Sequence, residues 1–192
     1  MRRAVTGFVA SLVLVACGET GPTPEQTATR QALVGAHVAR AAVSHLVSRY
    51  AEIVGTPVEA GGDATTWGGV TAYRGSPEGL AEGTFLAELA KPAPVDPAFP
   101  RAKDLEAVSR ATADLVNLAL APTGTWEEFD GQISAIRTRL DEAVAALEKG
   151  TKSYVLIEVR SETNMQTAEY TAMLAKAKAD GATAAPGTAP AP

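Results

Sequence analysis

Residues 125–150 read TWEEFDGQISAIRTRLDEAVAALEKG, and they decide the fold. Thr125 and Glu128 have the spacing of a capping box, in which an N-cap Thr and a Glu three residues on satisfy each other's backbone N–H groups. Glu127 and Glu128 set negative charge at the positive end of the helix dipole. Phe129, Ile133, Ile136, Leu140, Ala143 and Leu147 then alternate by four and three, an unbroken a/d seam that Gly150 closes. A helix with one apolar seam must bury it, so the rest of the chain has to supply partners.

Three further segments have the same character. Thr23-Pro24-Glu25-Gln26 opens the first helix, with Thr23 as N-cap, proline at the first helical position and Gln26 completing the box. Its stripe is Ala32, Ala36, Ala39, Val43, Leu46, Tyr50 and Ile53, and Gly55 followed by Pro57 ends it. A second helix starts between Asp96 and Asp104 and ends near Ala121-Pro122, with Leu105, Val108, Thr112, Leu115 and Ala119 in register. The last helix runs from about Thr151 to Asp180. Its Tyr154-Val155-Leu156-Ile157-Glu158-Val159 is rich in β-branched residues, but the Ala/Lys/Glu/Met-rich sequence that follows has no breaker and carries the helix on.

Short connections make the last three helices antiparallel neighbours. The expected fold is therefore all-α, an up-and-down helical bundle of about four helices over 23–180, with a long Gly/Pro-rich insertion at 55–100 between helices one and two. A connection of that length is unusual in a bundle. Within it, Ser76-Pro77-Glu78 caps a short helix through about Ala90, bearing Leu80, Phe85, Leu86 and Leu89. Thr65 to Tyr73 has the look of a small hairpin around Gly68-Gly69. Trp67 and Tyr73 either cap one end of the bundle or, with Arg74, supply stacking and charge to a ligand. From Gly181 to Pro192 the Ala/Pro/Gly/Thr composition marks a disordered tail.

The chain opens MRRAVTGFVASLVLVACGET. Arg2 and Arg3 precede an uncharged run from Val5 to Ala16, shorter than the ~20 residues that span a bilayer. A short apolar run with a basic flank is an export signal rather than a span. Leu14-Val15-Ala16-Cys17 resembles the lipobox of bacterial lipoproteins at all four positions. The resemblance implies a signal peptide at 1–16, cleavage before Cys17, a diacylglycerol thioether on its sulfur and a further acyl chain on the new amine. Residues 17–22 then form a short lipidated tether. Gly18, in place of an aspartate after the cysteine, implies delivery to the outer membrane, facing the periplasm. Ala16-x-Gly18 also fits an ordinary cut after Gly18.

Charge and cysteine content narrow the function. The chain has 17 basic and 22 acidic residues, and loss of Arg2 and Arg3 brings the net charge to −7. Such a balance argues against nucleic acid, whose phosphates need basic clusters, and against electrostatic adhesion to anionic lipid. Cys17 is the one cysteine. Once acylated it leaves no thiol for a disulfide, a nucleophile or a thiolate metal site.

Catalytic constellations are not legible. His37 and His45 are eight residues apart, too far to chelate one ion as an i, i+4 pair. Gly35-Ala36-His37-Val38-Ala39-Arg40 resembles the Gly-x-His-x-x-Glu signature of imelysin-like proteins, which are helical and exported, but Arg40 stands where the resemblance requires an acidic ligand. Gly150-Thr151-Lys152-Ser153 lacks the glycine spacing and preceding strand of a phosphate loop. No Gly-x-Ser-x-Gly turn occurs. The expectation is a non-enzymatic envelope lipoprotein, without a cofactor, that holds to the membrane by its lipid and contacts an envelope protein. The alternative is a small-molecule or peptide binder using the 55–100 insertion, and a metallopeptidase related to the imelysin-like proteins ranks last.

Overall fold

The computed structural model describes residues 21–55 and 67–183, and every regular element among them is a helix. They are α1 (Pro24–Gly55), α2 (Gly68–Gly75), α3 (Pro77–Leu89), α4 (Ala102–Leu120), α5 (Trp126–Lys149) and α6 (Ser153–Thr183). The expected signal peptide at 1–16, Cys17 and most of the expected Ala/Pro-rich tail lie outside the described residues. No helix among those described is long and apolar enough to cross a membrane.

Cross-helix pairs set the directions. His37 meets Glu148 and Arg40 meets Asp141, so α5 runs against α1. Arg30 meets Glu158 while Tyr170 reaches Ala42, so α6 runs with α1. Asp114 faces Arg139, and Arg101 bonds the carbonyls of Ala146 and Leu147, so α4 and α5 are antiparallel. Tyr170 bonds Glu82 near the middle of α3, and Gly181 packs on Pro77 at its start, so α3 descends beside the ascending α6. Up, down, up, down, up is the resulting order of α1, α3, α4, α5 and α6.

This corrects the expected four-helix plan in two ways. First, α3 is no appendage. It is the return leg between two ascending helices, α1 and α4, with Leu86 fully buried. The remaining descent is a non-helical segment whose Val95 and Phe99 pack on the core. Second, α5 and α6 are joined by a tight turn yet are not packed neighbours, because α1 stands between them and packs on both. A hub helix explains why α1 buries far more than one stripe: Leu33, Val34, Ala36, Val38, Ala39, Ala42, Val43, Leu46 and Tyr50 are all out of water. Alanines at 36, 39 and 42 let neighbours close in on several sides.

The expected hairpin at 65–73 is also corrected. From Gly68 the chain is helical, with Trp67, Val70 and Tyr73 at threefold spacing turned to the core. Gly68 and Gly69 form the first turn of α2 rather than a reversal. A Cβ on Gly69 would come within 2.6 Å of Ile53 Cγ2, so the glycine lets α2 press against the end of α1. In the last helix, Val155, Val159, Tyr170 and Leu174 are buried on one helical face, and helix continues to Thr183, past the expected tail boundary at Gly181. Leu80, Tyr154 and Ile157 remain exposed.

Local signals behave as read. Thr125 Oγ1 accepts from the Glu128 N–H and Glu128 Oε2 accepts from the Thr125 N–H, a closed capping box. Thr23 and Gln26 do the same for α1. Phe129, Ile133, Leu140 and Leu147 are buried, and Ile136 and Ala143 pack on the core at its edge. Gly124 turns the chain between α4 and α5 at φ +76°, where a Cβ would also strike the Glu128 carboxylate.

Gly79 is the tightest approach between elements. Ser76 Oγ caps α3 by accepting from the Gly79 N–H at 3.1 Å, and a Cβ there would collide with the Tyr73 carbonyl and Arg74 Cα. Both are backbone, so no side-chain rotation relieves the clash. Gly79→Ala is expected to lower stability by about 2 kcal/mol or more despite the higher helix propensity of alanine. Urea unfolding checks this, and a neutral or stabilising outcome would show that α2 and α3 separate freely.

Candidate functional site

The site is built around a carboxylate in the core. On α3, Gly79, Glu82 and Leu86 fall on the buried face, which places a glutamate where the pattern asks for an apolar residue. The Glu82 side chain is 0 % exposed. Three helices bring donors to it. Tyr73 of α2 donates to Oε2 at 2.8 Å. His45 of α1 sets Nδ1 2.9 Å from Oε1 and donates there in its Nδ1–H tautomer. Tyr170 of α6 donates to Oε1 through its hydroxyl, which also lies 3.3 Å from His45 Nδ1.

Rings wall the cluster. Phe85 packs on Tyr170 with centroids 4.9 Å apart, His45 meets Tyr170 edge-on, and the Arg49 guanidinium lies over Tyr73. The imidazole of His45 is 41 % exposed and links the cluster to solvent. Burial first, and then the bond to Glu82, holds the phenols of Tyr73 and Tyr170 well above the ordinary tyrosine range. Both therefore remain donors at neutral pH. A buried charged or polar group is tolerated when its bonds are complete, and here four helices are pinned to one side chain. The arrangement is suited to fixing how α3 sits on its neighbours. Its oxygens are occupied by protein donors rather than presented to a groove.

Tyr50 lies nearby, its ring edge-on to both Tyr73 and Trp67 and its hydroxyl donating to the Ala119 carbonyl at 3.3 Å. Burial pushes its phenol up to about 12. The raised tyrosines have a consequence at alkaline pH. Unfolded tyrosines lose their protons near pH 10 and the folded ones later, so above pH 10 the unfolded state binds fewer protons and stability falls as pH rises. The stabilisation is complete below pH 10 and is lost on the way to about 12, amounting to about 3 kcal/mol for Tyr50 alone. Urea midpoints measured from about pH 9 to 11.5 should drop steeply, and less steeply in Tyr170→Phe; a flat profile contradicts the cluster as described.

The other residues singled out in the sequence fall in different surroundings. Trp67 is not free to stack on a ligand. Its Nε1 donates to the Gly124 carbonyl at 2.9 Å, and its ring packs against Tyr50, Phe129 and Trp126. Tyr73 is committed to Glu82. Arg74 is exposed beside a shallow groove with Gly75, Leu80 and Gly83, and is not brought together with the other two. His37 bonds Glu148 at 3.3 Å, and Arg40, in place of the acidic ligand, pairs with Asp141 at 2.9 Å. The described residues contain no group of three or more His, Asp or Glu side chains placed to hold a metal ion. Comparison with known protein families, with curated proteins and with solved structures finds no match for the chain.

Proposed function

We propose that the chain is a non-catalytic envelope lipoprotein, acylated at Cys17, probing the periplasm from the outer membrane and acting by contact with another envelope protein. The observation that carries the reading is the start of α1. Its capped N-terminus at Thr23 and Pro24 follows Cys17 by about six residues, a reach of at most ~20 Å. The same end of the bundle holds Arg101, Gly150, Thr151 and Lys152 beside Glu25 and Gln26. A lipid on Cys17 would keep that base at the membrane surface. The opposite end, where Trp67 and Trp126 gather by Tyr50, would stand about 39 Å away at ~1.5 Å per residue of α1, with Glu82 nearer the base beside His45 at about 32 Å. A rigid spacer of this kind presents its far end and flanks to partners rather than enclosing a substrate.

The test is the mass and membrane fractionation of the full chain against Cys17→Ala. Acyl mass on a chain beginning at Cys17 supports the reading, and a soluble product beginning near Glu19 overturns it.

A further inference from the structure

We propose that the groove between α5 and α6 is a binding site for a small zwitterion of the size of a di- or tripeptide, held by its free amine and free carboxylate. The groove exists because α1 keeps the two helices apart. It encloses about 440 Å³, within the range of small-molecule sites, and is lined by His37, Glu148, Arg160, Thr163 and Asn164, with Leu156 and Val159 giving it apolar surface.

Two observations converge on that chemistry. Opposite charges line the cavity without meeting: Glu148 is engaged by His37 at 3.3 Å, whereas Arg160 forms no ion pair with any described residue. Arg40 pairs with Asp141 and Arg30 with Glu158, whereas Arg160, exposed like Arg74 and Arg110, keeps its guanidinium free for a ligand. Arg160 and Asn164 are one helical turn apart on α6, so a guanidinium and an amide can address one carboxylate together.

An ammonium would seat at Glu148, a carboxylate at Arg160 and Asn164, and short aliphatic side chains over Leu156 and Val159. The chain has two histidines, and this gives a local readout. His37 lines the groove, while His45 is held at Glu82. In a titration of the purified full chain with the dipeptide Ala-Ala, the imidazole resonance of His37 should move saturably and that of His45 should stay. Blocking both termini, as N-acetyl-Ala-Ala-amide, should weaken binding at least tenfold. R160Q, at an exposed position, and E148Q, at a half-buried one, both outside the core, should each weaken it about fivefold or more. The proposal is overturned if neither Ala-Ala nor Ala-Ala-Ala moves the His37 resonance, if the blocked peptide binds as well, or if both variants bind as the parent does. It stands apart from the anchor: a chain without acyl mass can still bind, and an acylated one can fail to.

Discussion

Glu82→Ala is expected to destabilise the bundle by about 3–5 kcal/mol, a large share of what a domain of this size possesses. The carboxylate accepts from Tyr73, His45 and Tyr170, and removing it strands their donors. The two phenols suffer most, because each buried unpaired hydroxyl costs about 1–3 kcal/mol. His45, being half exposed, regains water and adds little. The rest comes from the cavity left between Phe85 and Leu86 on α3 and the helices they face. Glu82→Gln keeps the volume and one acceptor, so it should cost roughly half as much. Tyr170→Phe should then cost less in the Glu82→Ala background than in the parent, since the two share one interaction. Urea unfolding of the parent and these four variants measures all of this. A loss under about 1 kcal/mol for Glu82→Ala would mean that the carboxylate is not held as described.

Cys17→Ala is expected to abolish acylation and, with it, stable membrane attachment. Each buried methylene contributes ~0.8 kcal/mol, so one fatty chain binds marginally while two or three hold the protein at the bilayer for as long as it survives. No described helix is long and apolar enough to cross the membrane in its place, and a chain beginning at Cys17, at net charge −7, is too acidic to adhere through charge. The variant should therefore lose the acyl mass entirely, with a drop of roughly tenfold or more in the processed chain recovered with membranes. Retention of processed Cys17→Ala on membranes would point to a second attachment within the bundle itself.

Helices and caps were readable because they are local. Thr125 with Glu128, Thr23 with Gln26 and Ser76 with Gly79 each close within one turn, and the seam from Phe129 to Leu147 repeats at the helical period. Helix order was not, because connection length is a weak guide to adjacency. The three-residue link between α5 and α6 suggested neighbours, yet what lies between them is a helix from the other end of the chain. Gly68-Gly69 suggested a reversal because glycine signals both turns and close approach, and only the position of Ile53 tells them apart. The Glu82 cluster was missed although a signal existed. Its period with Gly79 and Leu86 put a glutamate on an apolar face, and only a buried partner set could justify it there. Those partners come from residues 9, 37 and 88 positions away, which no local pattern reveals.

The hub position of α1 also sets the order in which the molecule can be completed. The first described helix leans on the last: Tyr170 reaches Ala42, and Glu158 reaches Arg30, each across 128 positions of sequence. Closing so long a loop is entropically slow, and topologies dominated by distant contacts fold slowly. Until α6 exists, α1 lacks one of its walls, and Glu82 lacks its Tyr170 donor. A partial chain therefore stays open, with its apolar faces unpaired, and becomes native only when the C-terminal helix arrives. On the proposed export route, delayed completion would be an advantage, because the same dependence that slows folding would keep the chain extended long enough to cross a translocation channel.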